Sequence, residues 1–365
     1  MGEMLGIVGF TAGRCATIAL VLALTSVGLV APPAQAGDPV LVGAGDIGTC
    51  AGTGDAATAA LVAATAGTVV TLGDNVYSSG TAAQFAGCYG PTWGRFKSRT
   101  RPAPGNHDYL TPGAAGYFGY FGAAAGPRGK GWYSYDLGAW HIIALNSNCG
   151  IVGCGPGSEQ NRWLRADLAA HGAQCTLAYW HHSRFSSDYS HGNNAAVAPF
   201  WDALYQYGAD VVVSAHAHDY ERFAPQTPAG RADPAFGIRE IVAGTGGESH
   251  YGFKAPQPNS QVRNAATFGV LRLTLHGGGY DWRFVPQPGK TFTDSGTGSC
   301  HGRPRGVVAA EAPPVDVPLV DVPPVGVLTA DVPPADPSTA DASTVDVPPA
   351  DVPPADASMA VAVPD

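Results

Sequence analysis

The central part of the chain alternates between short apolar runs and helix-compatible segments. The apolar runs have the length and the Val, Ile and Leu content of buried β-strands. They lie at 40–42, 69–72, 141–145, 176–180, 211–213 and 238–243. Ala-rich or amphipathic segments with helical spacing lie at 55–66, 158–171, where Ser158 is the predicted N-cap, and 199–207. Strands that alternate with helices predict an α/β fold with parallel strands.

The end of this region follows a different pattern. The segments 268–275 and 280–285 flank three consecutive glycines, Gly277 to Gly279. Strand-like segments joined by a glycine turn predict an antiparallel hairpin. Parallel strands followed by such a hairpin indicate mixed β-sheets. One continuous alternation over about 270 residues favours a single large domain, which we place at 37–306.

The charge of the chain is concentrated at one end. The 365 residues have a formal net charge of −9, and 307–365 holds ten acidic residues and no Lys or Arg. The remaining body is close to neutral, so the composition does not indicate a nucleic-acid-binding protein. In 307–365, Asp recurs every five residues from Asp316 to Asp356, interrupted at Gly326, with Pro in most units. This pattern predicts a disordered, acidic Pro-rich tail. Such a tail is a solvated spacer or an arm that contacts a cell wall or a partner.

The other end has the pattern of an export signal. Arg14 precedes an apolar run at 16–30, and Ala34-Gln35-Ala36 follows it. A charged start, an apolar middle and small residues before a cleavage point are typical of a secretory signal peptide. We predict a signal peptide at 1–36, cleaved near Ala36-Gly37, and an uncleaved anchor is the alternative. The mature chain is then secreted, extracellular or at the cell surface, with no membrane span.

Export changes the interpretation of the cysteines. Without Cys15, six remain: Cys50, Cys88, Cys149, Cys154, Cys175 and Cys300. An even number in an oxidising compartment predicts up to three disulfides. Cys149 and Cys154 enclose a short Gly-rich loop, and we expect them to pair. The alternative, a thiolate zinc site, lacks the usual Cys-x-x-Cys spacing.

Polar side chains cluster directly after the apolar runs. In open α/β sheets the carboxyl ends of the strands surround the ligand crevice. Four segments follow apolar runs: Gly45-Asp46, Gly73-Asp74 with Tyr77, His181-His182 and His216-Ala217-His218. A fifth, Gly105-Asn106-His107-Asp108, follows a Pro-rich approach and is placed at a strand end as well. Each segment alone has a common structural explanation, such as a turn or a hydrogen-bonded histidine. Five of them in this order predict one shared site.

The side-chain types indicate what this site binds. Carboxylate, imidazole, amide and phenol groups are ligands of borderline first-row metals such as Fe, Zn and Mn. The candidate ligands are Asp46, Asp74, Tyr77, Asn106, His181, His216 and His218. This set is too large for one tetrahedral zinc, whereas one bridging carboxylate can serve two ions about 3.5–4 Å apart. The chain has neither a Gly-Lys-Ser/Thr phosphate loop nor a Gly-x-Ser-x-Gly elbow, so these motifs support neither nucleotide-triphosphate nor serine-hydrolase chemistry.

These motifs resemble those of the calcineurin-like metallophosphoesterases, and within them the purple acid phosphatases. The family motifs are Asp-x-Gly, Gly-Asp-x-x-Tyr, Gly-Asn-His-Asp/Glu, Val-x-x-His and Gly-His-x-His. They correspond here to 46–48, 73–77, 105–108, 178–181 and 215–218, and the resemblance extends over about 40–285. Two positions depart from the pattern, Ala178 for Val and Ala215 for Gly, and the second adds a methyl group beside the expected metals.

The resemblance implies a fold and a ligand arrangement. The fold is a metallophosphoesterase-type four-layer αββα sandwich of two mixed β-sheets. Metal 1 takes Asp46, Asp74, Tyr77 and His218. Metal 2 takes Asp74, Asn106, His181 and His216, with Asp74 bridging. A Tyr77 phenolate implies Fe³⁺ at metal 1, with Fe²⁺, Zn²⁺ or Mn²⁺ at metal 2.

Four further residues are candidates for action on the substrate. The resemblance places His107, His182 and His191 near the substrate. His191 has a surface histidine as its alternative interpretation. Asp108 either orients His107 or caps a turn.

The predicted function is that of a secreted acid phosphatase-like enzyme that hydrolyses small phosphate monoesters by attack of a metal-activated hydroxide. A phosphodiesterase or nucleotidase on the same site is the alternative, because the ligand set does not distinguish these substrates. A non-catalytic adhesion or wall-associated protein is the third hypothesis. The sequence leaves the substrate and the second metal open.

Overall fold

The structure is a computed structural model that describes residues 37–303. The predicted signal peptide at 1–36 and the predicted tail at 307–365 lie outside the described residues. The strands are β1 (Val40–Ala44), β2 (Thr68–Leu72), β3 (Thr100–Ala103), β4 (Tyr133–Leu137), β5 (Trp140–Ala144), β6 (Cys175–His182), β7 (Val211–Ala215), β8 (Tyr220–Phe223), β9 (Arg239–Ala243), β10 (Ser260–Asn264), β11 (Gly269–His276), β12 (Gly279–Pro286) and β13 (Ser295–Ser299).

Helices connect these strands. The α-helices are α1 (Gly54–Ala63), α2 (Ala82–Gln84), α3 (Ala115–Phe121), α4 (Cys149–Val152), α5 (Glu159–Ala170) and α6 (Ala198–Tyr207). A π-helical turn lies at Phe85–Tyr89, and 3-10 turns lie at Trp93–Arg99, Asp108–Leu110, Pro112–Ala114, Gly122–Ala125 and Ala195–Val197. The Ser158 hydroxyl accepts a hydrogen bond from the Asn161 amide, as its predicted role as the N-cap of α5 requires. No helix within 37–303 combines the length and the apolar character needed to cross a bilayer.

The strands form two mixed sheets. The first has the order β13-β12-β11-β1-β2-β3, with β1, β2 and β3 parallel. The second has the order β10-β8-β9-β7-β6-β5-β4, with β5, β6, β7 and β9 parallel. The predicted hairpin forms as β11 and β12, which pair antiparallel along their whole length. The predicted mixed character of the sheets is therefore confirmed.

Three apolar clusters define the layers. Leu72, Leu177 and Leu271 belong to the cluster between the two sheets. The outer face of the second sheet packs against α5 and α6 through residues such as Leu164 and Leu204. A third cluster covers the outer face of the first sheet with α1 and the aromatic segment around α3. The order helix, sheet, sheet, helix confirms the four-layer αββα sandwich.

Three disulfides join the six described cysteines. Cys149 pairs with Cys154, as predicted. The other pairs, which the sequence left open, are Cys50–Cys88 and Cys175–Cys300. The last of these links residues 125 positions apart and joins the start of β6 to the end of the described chain. Three disulfides are compatible with an oxidising, extracytoplasmic compartment.

Candidate metal centre

The candidate ligands gather where the parallel strands of both sheets end. Asp46 follows β1, Asp74 and Tyr77 follow β2, and Asn106 follows β3. His181 is the second-to-last residue of β6, and His216 directly follows β7. Three of these residues have positive φ angles, 58° at Asp46, 47° at Asp74 and 69° at His216. Because left-handed backbone costs a non-glycine residue about 1–2 kcal/mol, this concentration is typical of a functional site.

Four side chains form the first half of the centre around the Tyr77 hydroxyl. This hydroxyl donates to Asp46 Oδ1 at 2.7 Å and lies 3.0 Å from Asp74 Oδ2. His218 Nε2 lies 3.2 Å from the Tyr77 hydroxyl and 3.3 Å from Asp46 Oδ1. The four side chains predicted for metal 1 are therefore in mutual contact.

The second half surrounds His181 Nε2. This atom lies 3.0 Å from Asn106 Oδ1, 3.1 Å from His216 Nδ1 and 3.3 Å from Asp74 Oδ2. Asp74 Oδ2 thus contacts both halves, through Tyr77 on one side and His181 on the other. The structure brings together all seven predicted ligands, with Asp74 at the bridging position.

Hydrogen bonds at the remote ring nitrogens orient two of the histidines. His181 Nδ1 lies 2.8 Å from the Leu72 carbonyl oxygen, which leaves Nε2 directed at the centre. His218 Nδ1 lies 2.8 Å from Ser249 Oγ and 3.2 Å from Glu248 Oε2, and its Nε2 likewise faces the centre. Such contacts fix the tautomer and the orientation of metal-binding imidazoles.

The buried carboxylates of the centre, Asp46 and Asp74, are stabilised by positive charge next to them. Burial raises the pKa of the Asp46 carboxyl, but the adjacent His218 outweighs burial and holds the pKa below its ordinary value. His181 has the same effect on the pKa of Asp74. In turn, burial lowers the pKa values of His181 and His218, while Asp74 and Asp46 raise them to about 9 and about 10. Two fully buried carboxylates next to protonatable imidazoles, with an oxygen and nitrogen donor set, fit a pair of cations.

Glycines let the ligands approach one another. A Cβ at Gly73 would lie 2.6 Å from His181 Cβ, and one at Gly105 would lie 2.1 Å from Asp74 Oδ1. A Cβ at Gly244 would lie 2.6 Å from Asp46 Oδ2. The chain therefore passes directly against each of these ligands, which explains the glycines that flank the motifs.

Three further histidines border the metal ligands. The His107 ring lies 4.4 Å from the Tyr77 ring, and its Nε2 is 3.9 Å from Asp74 Oδ2. The rings of His182 and His191 lie 4.4 and 4.0 Å from that of His216. All three predicted substrate-facing histidines therefore lie beside the candidate ligands, and His191 does so from an exposed position.

Asp108 has a different environment. It is fully buried, and its Oδ2 accepts hydrogen bonds from the Gly105 amide at 2.8 Å and from Asn75 Nδ2 at 2.9 Å. The His107 ring instead contacts the Ser78 carbonyl oxygen through Nδ1. Asp108 therefore holds the turn that carries Asn106, and within the described structure no hydrogen bond joins it to the His107 ring.

Comparisons with known proteins agree with this geometry. A model of the calcineurin-like phosphoesterase family matches residues 41–220, a range that contains all seven candidate ligands. Residues 41–220 form a calcineurin-like phosphoesterase domain. An uncharacterized protein of Mycobacterium tuberculosis is 29% identical over 201 residues, which cover 44% of this chain and 38% of that protein. Purple acid phosphatase 18 of Arabidopsis thaliana is 29% identical over 159 residues, covering 41% of this chain and 35% of that protein.

A solved structure supports the fold. The purple acid phosphatase from yellow lupin (Lupinus luteus) seeds aligns with a TM-score of 0.58 at 20% identity, covering 73% of this chain and 54% of that chain. This alignment supports the fold, and the family match with the purple acid phosphatase relative indicates a purple acid phosphatase-like phosphoesterase. The alignments span less than two fifths of the length of the curated relatives described above.

Part of the wall of this phosphoesterase site was not predicted from the sequence. Glu248 and Ser249 hold His218, and the Tyr251 ring stacks on the His218 ring at 4.2 Å. These residues follow β9, where the Gly-rich segment 244–247 resembles the other strand ends in its position. That position is the signal that could have identified the segment. Asp188 was also missed, and its Oδ1 lies 3.2 Å from His191 Nδ1.

A cleft of about 410 Å³ opens beside the first half of the centre. Tyr77 and His218 line it on the metal side, and His107, Glu248 and Tyr251 line its walls. This cleft is large enough for a small ester next to the metal ligands.

Proposed function

We propose that this phosphoesterase hydrolyses small phosphate monoesters at a dinuclear metal centre and is an exported acid phosphatase-like enzyme. The observation that carries the proposal is the pair of ligand clusters that share Asp74 Oδ2. A single bridging carboxylate between two open-sided sites suits two cooperating cations. The three disulfides support export.

The protein's contribution to the reaction is positional. When bound, the two cations would lower the pKa of a coordinated water and neutralise the phosphate ester. Asp46 and Asp74 supply negative charge that would retain them, and Tyr77 would add to it by giving up its hydroxyl proton when a cation binds. His181 and His218 are already oriented by Leu72 and Ser249. The histidines and carboxylates therefore need little rearrangement to bind the ions.

The three neighbouring histidines have distinct roles. Burial lowers the pKa of His182 to about 3, so this ring stays neutral and positions the phosphate rather than donating a proton. His107 is part-exposed beside the cleft, and we assign it the donation of a proton to the leaving oxygen. We assign His191, which is held by Asp188 beside His216, a contact to the phosphate.

The nature of metal 1 follows from Tyr77. A phenolate ligand favours Fe³⁺, with Fe²⁺, Zn²⁺ or Mn²⁺ at the second position. A ferric ion is a strong Lewis acid, so we expect an acidic pH optimum. An alkaline optimum would contradict the ferric assignment.

The Asp74→Asn variant tests the dinuclear centre. The loss of the bridging charge should release both metals and reduce activity by more than ~100-fold, since residues that only support ligands already account for about 10–100-fold. The matched control is Asp55→Asn, at a buried aspartate whose contacts to the Ala56 amide and the Thr92 hydroxyl an asparagine can retain. Elemental analysis and hydrolysis rates of the purified full chain are the measurements.

Substrate class is tested with the same preparation. A panel of phosphate monoesters, diesters and nucleotides should show the highest kcat/KM for small monoesters. A preference for diesters would replace the monoesterase proposal with the phosphodiesterase alternative. Full metal content and full activity in Asp74→Asn would overturn the assignment of the centre itself.

A further inference from the structure

A second group of imidazoles and carboxylates lies at the opposite end of the second sheet. His141 is the second residue of β5, and Asp136 lies directly across from it on the edge strand β4. Asp167 and His171 come from the end of α5. His141 is paired in register with Thr176, five residues before His181, so roughly 17 Å of β6 separates this group from the metal centre.

The side chains of this group are in close contact. His141 Nδ1 lies 2.9 Å from Asp136 Oδ1, and His141 Nε2 lies 2.8 Å from Asp167 Oδ2. The His171 ring stacks on the His141 ring with centroids 3.9 Å apart at 15°, and its Nδ1 lies 2.8 Å from the Asp167 carbonyl oxygen. The exposed His171 ring would therefore turn out of this stack, with Nε2 as its ligand atom, for both rings to bind one ion. One ligand atom from each of Asp136, His141 and His171 lies within 4.8 Å of the others.

This closeness is rare among the described residues. Between 37 and 303, the other groups of His, Cys, Asp or Glu that meet the same 4.8 Å limit are Asp74-His181-His216, which belongs to the metal centre, and Cys175-Asp210-Cys300, in which the two cysteines form a disulfide. Among the described residues, the Asp136 group is therefore the one such set outside the metal centre in which no donor is part of a disulfide.

The group is also held in place as metal ligands usually are. His141 is 1% exposed, and its Nε2 contacts the Asp167 carboxylate. Asp167 accepts a further hydrogen bond from Ser134 Oγ at 2.7 Å. A histidine whose remote nitrogen is fixed by a carboxylate presents its other nitrogen to the metal. Here that nitrogen is Nδ1, which faces Asp136. Asp136 and His171 are exposed, so solvent can complete the coordination.

We propose that Asp136, His141 and His171 bind a divalent transition-metal ion, with zinc as the best match, while Asp167 orients His141. Two imidazoles and a carboxylate are borderline ligands that suit zinc, and three protein ligands with an open position are a common zinc arrangement. The bound ion would join the edge strand β4, strand β5 and the end of helix α5. Its role is structural, because it lies far from the residues of the proposed reaction.

The test removes the metal centre so that the second site is measured alone. In Asp74→Asn, purified as the full chain, stripped with a chelator and reloaded with zinc, about one tightly bound zinc ion per chain should remain. Adding His171→Ala or Asp136→Asn to this background should reduce bound zinc to about zero. Both positions are exposed, so these variants are expected to fold, which circular dichroism verifies.

The chain offers a matched control. His276 is also exposed and lies between two carboxylates, with Nδ1 2.6 Å from Asp38 Oδ2 and Nε2 3.0 Å from Asp281 Oδ2, but no second imidazole of the described residues joins it. His276→Ala in the Asp74→Asn background should keep the bound zinc. Zinc should raise the melting temperature of Asp74→Asn and of this control, and leave the His171→Ala double variant unchanged.

The outcomes separate this proposal from the proposed function. Absence of zinc from Asp74→Asn, or equal loss in the His276 and His171 variants, would overturn the second site. Neither result tests the metal centre. That centre is tested separately, by comparing the metal content and the hydrolysis rate of Asp74→Asn with those of the wild type. In the wild-type background, His171→Ala should lose about one of about three bound metal ions, the lost ion being zinc, and keep its phosphatase rate.

Discussion

Replacement of Gly73 by alanine tests whether the close approach of β2 to His181 sets the geometry of the metal centre. The new Cβ would lie 2.6 Å from both Cβ and Nδ1 of His181, whereas non-bonded carbons normally lie about 3.5–4.0 Å apart. His181 would therefore have to move by about 1 Å. A displacement of about 1 Å in a catalytic site typically costs about 100-fold in rate.

The backbone at Gly73 adds a second penalty, which a control can separate. The φ angle of Gly73 is +87°, and left-handed backbone costs alanine about 1–2 kcal/mol. Gly289 has a φ angle of +82°, and a Cβ at this position would have no heavy atom within 4 Å, so Gly289→Ala carries the backbone cost without the collision. We expect Gly73→Ala to lose more conformational stability than Gly289→Ala, because it adds the collision to the shared backbone cost, and we expect only Gly73→Ala to lose activity.

The measurements are the rate per folded molecule, the metal content and the free energy of unfolding in urea. Gly73→Ala should lose about 100-fold in kcat together with the metal that His181 binds, so the metal centre itself should fall from two ions toward one. Gly289→Ala should keep both. If Gly73→Ala retained its rate within a few-fold and bound both ions, the inference that Gly73 positions His181 would be wrong.

Three further predictions concern separate groups. Tyr77→Phe should abolish the visible absorption of the iron-loaded protein and keep part of its activity, and a surviving visible band would refute the phenolate assignment. His191→Ala should raise KM by about 10–100-fold at unchanged metal content, as expected for a lost hydrogen bond to a charged phosphate; an unchanged KM would remove His191 from the substrate site. Burial raises the pKa of the Glu240 carboxyl to about 8 from an ordinary value of 4.5. The folded protein therefore holds this proton more tightly than the unfolded chain does. The resulting stabilisation is complete below pH 4.5 and is lost as the pH rises to about 8. Urea unfolding should show that this decline, up to about 5 kcal/mol, is absent from Glu240→Gln, and equal pH slopes for the two proteins would contradict it.

The strands that carry the metal ligands were predictable because their apolar runs end abruptly at polar residues. β1, β2, β6 and β7 have buried interiors, so every residue in the run must be apolar or small. The run and the ligand that follows it are adjacent in sequence. The local sequence pattern therefore predicts both the strand and the candidate ligand that follows it.

The strands that escaped prediction depend on distant partners. β13 has the sequence Ser-Gly-Thr-Gly-Ser, which contains no apolar side chain. It is a strand because it pairs with β12, where Trp282 and Tyr280 occupy the space that side chains at Gly296 and Gly298 would need, with Cβ contacts of 2.3 and 2.4 Å. The glycines that argue against a strand locally are thus required by aromatic rings of the neighbouring strand.

The departure at Ala215 shows the same limit at the metal centre. From the motif alone, the additional methyl group was expected beside the metals. In the structure Ala215 belongs to the apolar cluster between the sheets, and its Cβ would lie 2.4 Å from a Cβ at position 45. The methyl group is accommodated because position 45 is glycine, directly before the ligand Asp46. The two motifs are therefore coupled through a single contact. A side chain at position 45 would collide with Ala215. The collision would displace Asp46 and His216, the candidate ligands that directly follow these two residues.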